Sequence, residues 1–335
     1  MEKCKIDFIV PWVDGNDMSW REEKNKYSPS PVADVNEIRY RDIELIKYWF
    51  RSIEEYAPWV NKVHFITYGH LPEWLNEDCE KLNIVKHEDY LKEEYRPTFS
   101  SHPIGLNVHR IEGLAEQFVY FNDDTLLNAP IDETFFFKKG LPCDYAYLTN
   151  YLYEGADDVY CHVCTNCIVE TNLNYSYIKS FFKHPFKYVN FKYDFKNNLK
   201  NILKLENTAC FTGLDNPHLP AAYLKQTFID SWDTHAELLD KVSRNKFRGP
   251  LDVNQSLFRY RQIATGKFYP VSKKSRGKLF SVQNDTSKII DALFDSKYKM
   301  VCINDSMYNT DFERTKAEIL TAYERKLPKK SSFEK

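Results

Sequence analysis

Two short acidic clusters carry the strongest chemical signal in this chain. Asn122-Asp123-Asp124 ends the apolar run Phe118–Phe121, and Asp14-Gly15-Asn16-Asp17 follows the apolar run Ile6–Val13. Runs that short and that apolar read as buried strands. In an open α/β sheet, ligands gather at the carboxyl ends of the strands. Paired carboxylates there suit a hard divalent cation, because Mg2+ takes one or two carboxylates and fills its other sites with water and phosphate oxygens. Asn and Asp also favour plain turns and helix caps, so each cluster has a purely structural alternative.

Basic and proton-carrying residues stand in three other places. Ser100-Ser101-His102 and His109-Arg110 belong to a stretch, Pro103–Gln117 with its flank, that reads as a helix leading into Phe118. Arg110 offers a planar fork of donors for phosphate oxygens, with His109 beside it. Asp215-Asn216-Pro217-His218-Leu219-Pro220 holds a histidine between two prolines. That histidine suits acid/base work or phosphate binding, or is simply part of a helix-entry turn. Residues Phe247 to Asn254 carry Arg248 toward another helix start, and helix N-termini favour anions.

The elements that must hold these groups follow from periodicity. Ile6–Val13, Val63–Tyr68, Asn83–Lys86 and Phe118–Phe121 read as strands. Glu37–Ala57 carries one apolar face and reads as a helix ended by Pro58. Strand, helix, strand, short helix, strand, helix, strand predicts an α/β fold with a mostly parallel sheet. Further along, the pattern predicts a long helix over Ala221–Val242, a helix from Asp252 to Gln262, strands at Lys267–Val271 and Met300–Ile303, and a helix over Asp311–Arg325. Residues 173–206 differ in kind: seven lysines are interleaved with Phe and Tyr, and the spacing puts Lys192, Lys196, Lys200 and Lys204 on one helical face. The division expected is 1–172 and 207–325 as two parts of one catalytic core, 173–206 as a basic, aromatic helical insertion, and 326–335 as a frayed tail.

Composition excludes several classes. The chain has 335 residues, 43% of them hydrophobic, and net charge −2, which supports a packed core and gives no general attraction to nucleic acid. No run reaches the roughly 18 apolar residues of a membrane-spanning helix. The apolar stretch near the start is too soon broken by Asp14 for a signal peptide, so a reduced, cytoplasmic setting is expected. There are only 10 glycines, the closest pair being Gly105 and Gly113, so neither G-x-G-x-x-G nor a P-loop is present. A nucleotide would have to be held by side chains and metal. Cys161, Cys164 and Cys167 form C-x-x-C-x-x-C, but no second C-x-x-C completes a four-cysteine site, and Val159–Val169 alternates like a strand.

Read together, these pieces resemble the Stealth family of sugar-phosphate transferases, in four blocks. The first is IDFIVPWVDGND (Ile6–Asp17) with Trp20. The second runs from EIRY (Glu37–Tyr40) through RSI (Arg51–Ile53), YAPWV (Tyr56–Val60), HED (His87–Asp89), PTFSSH (Pro97–His102) and LNVHRI (Leu106–Ile111) to YFNDD (Tyr120–Asp124). The third is Pro217-His218 with Pro220, and the fourth is VCIND (Val301–Asp305). The resemblance implies a nucleotide-sugar-binding core like that of the glycosyltransferase-A enzymes. It implies transfer of a sugar-1-phosphate from a UDP-sugar to a glycan or phosphoglycan hydroxyl in capsule or exopolysaccharide synthesis, with UMP released. By motif, Asp124, His218, Arg248 and His109 are the implied catalytic residues. Asp14, Asp17, Ser101, His102, Arg110 and Asn254 are the implied substrate-binding residues. Asp124, Asp123 and Asn304 are the implied ligands of Mg2+ or Mn2+. Where the family carries a glutamate after the Ser-Ser pair, this chain has Gly105. That departure keeps open a catalytically impaired protein that binds glycan or partners, beside the other alternative of an ordinary metal-dependent glycosyltransferase releasing UDP. The lysines of residues 173–206 suggest contact with the inner face of a membrane or with the acceptor.

The cysteine reading predicts that the purified protein carries no stoichiometric zinc or iron and that Cys164→Ser costs little beyond packing. Elemental analysis and a thermal melt check both; one equivalent of tightly held zinc contradicts the first.

Overall fold

The computed structural model describes residues 4–28, 41–152, 158–207, 209–306 and 308–335. In chain order the elements are β1 (Ile6–Trp12), α1 (Met18–Lys26), α2 (Ile46–Tyr56), β2 (Val63–Thr67), β3 (Leu82–Lys86), α3 (His87–Tyr90), α4 (Ser101–Leu106), β4 (Gln117–Tyr120), β5 (Thr125–Leu127), β6 (Phe137–Lys138) and β7 (Leu141–Asp144). There follow α5 (Val159–Asn174), α6 (Tyr177–Lys183), α7 (Pro185–Tyr188), α8 (Phe195–Asn207), β8 (Ala221–Leu224), α9 (Lys225–Thr234), α10 (Ala236–Ser243), α11 (Ser256–Ala264), β9 (Tyr269–Pro270), β10 (Gly277–Ser281), α12 (Ser287–Leu293), β11 (Met300–Asn304) and α13 (Phe312–Lys326).

The central sheet has the order β3-β2-β1-β4-β8. Its first four strands are parallel, and β8 closes the edge antiparallel to β4. Parallel strands are covered on both faces and so read as continuous apolar runs. Alternate residues serve the two sides: Phe8, Val10, Phe65 and Val119 enter a core with α2, α12 and α13, whereas Ile9, Ile66, Phe118 and Tyr120 enter a core with α5, α9 and α11. A second sheet, β10-β11-β5, leads away from the end of β4, and a small third sheet joins β6, β7 and β9. The fold is the expected α/β class with a mostly parallel main sheet.

Asp7 is the one charge inside β1. Burial alone would raise its pKa, but His64 Nε2 at 3.0 Å, Asn61 Nδ2 at 2.6 Å and the Ala115 amide at 2.8 Å outweigh that and hold it below the usual carboxylate range.

Several local expectations are corrected. Pro103–Gln117 is not one helix: α4 stops at Leu106, where the Asn107 side chain bonds Pro103 O and Ser243 Oγ, and Gly113 turns the chain at φ +74° into β4. Helix α2 begins at Ile46, after Glu44 at φ +63°, and not at Glu37; residues 37–40 lie outside those described. Ala221–Val242 opens as a strand and continues as two helices that meet at His235. The C-x-x-C-x-x-C stretch is helix, not strand. Asp158 Oδ1 accepts from the Cys161 amide at 3.0 Å and starts α5, whose inner side carries all three buried thiols. Sequence alternation of small and apolar residues did not separate the two periods. Lys192 precedes α8, and its ammonium bonds Pro270 O at 2.9 Å, so it does not share the face of Lys196, Lys200 and Lys204.

The last residues do not fray. Phe333 is buried with its ring centroid 4.8 Å from that of Phe50. Glu334 accepts both Arg51 Nε and Nη2 at 2.9 Å, and Arg51 Nη1 also bonds Leu327 O at 2.7 Å. A buried, two-pronged ion pair thus fastens the C-terminus to α2.

Removing one member of such a pair leaves the other buried and unpaired, so Arg51→Ala is expected to cost about 3–5 kcal/mol. The double change Arg51→Met with Glu334→Met is expected to recover a large part of it. Urea unfolding of the three proteins checks this; equal stability of Arg51→Ala and the parent contradicts it.

Candidate active site

Sheet twist and strand ends open a cleft of about 1070 Å³ at the carboxyl edge of the central sheet. The turn after β4 sets its floor. Thr125 Oγ1 donates to Asn122 O at 2.7 Å and its amide to the same oxygen at 3.1 Å, which closes the turn and fixes Asp123 and Asp124. Strand β5 then pairs with β11, and the Ile303 amide donates to Asp124 O at 2.8 Å. Cys302 is thereby laid against the Asp124 carboxylate, Sγ to Oδ2 3.3 Å.

Asp124 is the hub. His218 Nε2 lies 3.1 Å from its Oδ2. The Asp124 charge raises the His218 pKa; burial and Arg248 oppose this but do not win. Asn122 Nδ2 is also 3.1 Å from that nitrogen. Asp124 Oδ1 is buried and has no hydrogen-bond partner. Asp123 opens to the cleft yet is walled by protein; desolvation first, then the charges of Asp124 and Asp42, push its pKa up to about 7. Burial likewise raises Asp42, which accepts Trp12 Nε1 at 3.4 Å and the Glu44 amide at 2.6 Å. Three carboxylates therefore converge, with one uncompensated oxygen among them.

The histidine is held from outside the sheet. Asp215 accepts Lys273 Nζ at 2.7 Å and Tyr145 Oη at 2.9 Å, Arg259 Nη1 donates to Asp215 O at 2.9 Å, and Asn216 Nδ2 donates to Ser256 Oγ at 3.0 Å. Pro217 and Pro220 restrict the rest of the segment. Arg248 donates to Ser101 Oγ at 2.8 Å. Its loop is pinned by Asp252, whose carboxylate takes His102 Nδ1 at 2.8 Å, Asn245 Nδ2 at 2.7 Å and the Gly249 amide at 3.0 Å. Asn254 lines the cleft and accepts the Ser256 amide at the start of α11.

The structure thus brings Asp123, Asp124, His218, Arg248, Ser101, His102, Asn254 and Asn304 to one cleft. Others from the sequence reading stand elsewhere. His109 packs 6.0 Å from the Phe228 ring and 5.9 Å from that of Trp232, and burial, then Arg110 and Lys225, lower its pKa to about 3. Arg110 lies over the Trp232 ring at 4.4 Å. Asp17 caps α1 through Trp20 N at 2.7 Å, and Asp14 Oδ1 accepts the Asn16 amide at 2.8 Å. Here the turn and cap roles absorb the side chains. In the other direction, Asp42, Gln255 and Tyr120 line the cleft and Cys302 lies beneath Asp124 without any signal in spacing; Tyr120 and Cys302 stood inside the second and fourth blocks without being singled out. A Cβ on Gly105 would meet Gln255 Oε1 at 3.1 Å and Tyr120 Oη at 3.3 Å, and that hydroxyl is buried without a hydrogen-bond partner.

A divalent cation fits these donors. The partnerless Oδ1 of Asp124 and the repulsion raising Asp123 both call for positive charge, and carboxylate oxygens suit Mg2+ or Mn2+. Asp124, His218 and Cys302 also place one donor atom each within 4.8 Å of one another. Burial first, and then Asp124, raise the Cys302 pKa, so its thiol is a hydrogen-bond donor to the carboxylate before it is a ligand for a hard ion.

Residues 5–31 match Stealth protein CR1, conserved region 1, and residues 39–143 match Stealth protein CR2, conserved region 2. The chain is 40% identical over 333 residues to "Capsular polysaccharide phosphotransferase WcwK" of Streptococcus pneumoniae, covering 98% of this chain and 99% of the relative. It is 36% identical over 334 residues to "Exopolysaccharide phosphotransferase cps2G" of Lactiplantibacillus plantarum, covering 98% and 96%. Among solved structures, the galactosyltransferase LgtC in complex with donor and acceptor sugar analogs aligns over 97% of this chain and 98% of its own, at 8% identity and a TM-score of 0.41.

Asp252→Ala leaves three buried or half-buried donors without their acceptor, each worth about 1–3 kcal/mol. A lower melting temperature and faster proteolytic cutting within 244–251 are expected. Unchanged cutting there contradicts the pinning of the Arg248 loop.

Proposed function

The chain belongs to the Stealth family, and from that premise we propose that it transfers a sugar-1-phosphate from a UDP-sugar to a glycan hydroxyl during capsule or exopolysaccharide synthesis. The observation that carries the reading is the meeting of the Asp124–His218 pair with Arg248 in one cleft. Hydroxyl attack on a phosphate needs a proton acceptor, cationic groups for the phosphate oxygens and an in-line position for the leaving group. The acceptor hydroxyl bonds to the β-phosphorus of the donor, the α–β bridging bond breaks, and the bridging oxygen leaves with UMP.

His218 takes the hydroxyl proton. Asp124 holds its Nε2 and stabilises the imidazolium that forms, leaving Nδ1 for the proton. Arg248, set by Ser101 and the Asp252-pinned loop, meets phosphate oxygens with its guanidinium fork. His102, tied to Asp252, positions that loop and is not itself the base. Asp124, Asp123 and Asn304 would hold Mg2+ or Mn2+, which when bound neutralises diphosphate charge as a Lewis acid. The proposed partners are therefore a UDP-sugar donor and a glycan or phosphoglycan acceptor.

Gly105 stands where the family glutamate is implied, beside the partnerless Tyr120 hydroxyl and Gln255. The base assigned here, His218, does not need it. A Cβ at 105 would require Gln255 and the Tyr120 hydroxyl to give by a few tenths of an ångström.

Incubation with UDP-sugars and a glycan acceptor is expected to yield UMP. UDP as product indicates attack at the anomeric carbon, and no nucleotide product under any donor indicates a binding protein. His218→Asn is expected to lower kcat by about 10²–10⁴-fold, and EDTA to abolish turnover, with Mg2+ or Mn2+ restoring it. Full activity in excess EDTA removes the cation from the reading.

A further inference from the structure

Helix α8 is built inside out. Its inward side is largely polar, Leu205 being the apolar side chain that packs on the core there: Asn201 is fully buried, its Nδ2 donating to Ala146 O and Tyr188 O at 2.7 Å and its Oδ1 accepting the Leu148 amide at 3.2 Å. Asn198 adds Oδ1 to the Asn190 amide at 2.9 Å. Its apolar side faces outward. Phe195, Leu199 and Ile202 recur at i, i+4 and i+7 and are 81%, 42% and 45% exposed among the described residues. The chain just before α8 continues the pattern, with Phe182, Phe186 and Phe191 exposed by 69%, 82% and 91%. A surface helix ordinarily turns its apolar stripe to the core, so this arrangement points to something outside the chain.

Charge says what. Lys179, Lys183 and Lys196 are exposed within the same segment, while Lys187 and Lys192 are turned inward onto carbonyls. Of the acids, Asp194 spends its carboxylate capping α8 at the Asn197 amide, 2.9 Å, and Glu206 is exposed in the last turn of α8, so the three exposed lysines outnumber one exposed acid. The outer face is thus apolar and positive. A second copy laid on it about a two-fold axis would bring lysines against lysines. An anionic bilayer satisfies both features: phenylalanines enter the headgroup–acyl boundary and ammonium groups meet lipid phosphates. No helix among the described residues is long and apolar enough to cross a membrane, so the contact is one of lying on the surface.

We propose that the outer face of α6–α8 docks this protein onto anionic lipid membrane, a role independent of the chemistry assigned to the cleft.

Co-sedimentation of the full chain with vesicles of phosphatidylcholine alone, and of phosphatidylcholine with 30% phosphatidylglycerol (a composition chosen on the order of natural anionic content), tests it. Binding is expected to the anionic vesicles and to weaken with added salt. Lys179→Glu, Lys183→Glu and Lys196→Glu together are expected to weaken it by about 10²-fold or more, since each lysine contributes about fivefold. Phe182→Ser, Phe186→Ser, Phe191→Ser and Phe195→Ser together are expected to abolish it while turnover of a water-soluble acceptor stays unchanged and the melting temperature falls only slightly, because none of these side chains lines the cleft and only Phe182 packs on a buried ring, that of Phe181 at 5.6 Å. Failure of the parent protein to sediment with anionic vesicles overturns the proposal. So does a dimer in analytical ultracentrifugation that the four serines dissolve, since the face would then belong to a second copy. Equal binding to both vesicle types overturns the charge component.

Discussion

The cleft depends on one short ladder. Thr125–Leu127 pairs antiparallel with Met300–Asn304, and the Ile303 amide bonds the Asp124 carbonyl. That register alone decides that Cys302 meets the Asp124 carboxylate and that Asn304 reaches the same cleft. Side chains alternate along a strand, so a slip of one residue would turn both away and present Val301 and Ile303 instead. The ladder belongs to the smaller sheet, which the turn after β4 ties to the central one, so the geometry of the cleft depends on how that sheet packs.

Around that ladder, each chemical group is held by a partner that takes no part in the reaction proposed. Asp252 anchors the Arg248 loop, and Lys273, Tyr145 and Arg259 anchor the segment of His218. Arg259 itself grips Asp144 with two bonds, 2.7 and 2.8 Å, and is buried. These polar networks are satisfied almost throughout, as buried groups must be. Two of the buried polar atoms without a partner, Asp124 Oδ1 and Tyr120 Oη, border the cleft. Unmet polar atoms at that place hold free energy that a cation or substrate oxygen can release, a cost to stability tolerated where binding occurs.

The same logic, inverted, shapes residues 173–207. There the core contacts of α8 are chiefly amide bonds, with Leu205 beside them, and Phe195, Leu199, Ile202 and Leu203 stand outside. A buried asparagine with every bond made is as acceptable in a core as a leucine, so the helix loses little by facing this way.

The sequence by itself determined the parallel sheet, because runs such as Phe8–Val10 and Phe118–Phe121 are fully apolar and leave no solvent face. It also determined the acid turn at the end of the fourth strand and the block order that marks the family. Tertiary structure decided which motif residues meet. His109 and His218 look equally able in sequence; one is walled by Phe228 and Trp232, and the other reaches Asp124 across 94 positions. Asp14 and Asp123 are both acids after strands, but the first closes its own turn and the second faces two other carboxylates. Residues 326–335 carry the composition of a loose tail, yet one glutamate finds Arg51 in the core. Local pattern records how a segment is covered, whereas partnership between distant groups depends on where the chain returns, and that is set by packing.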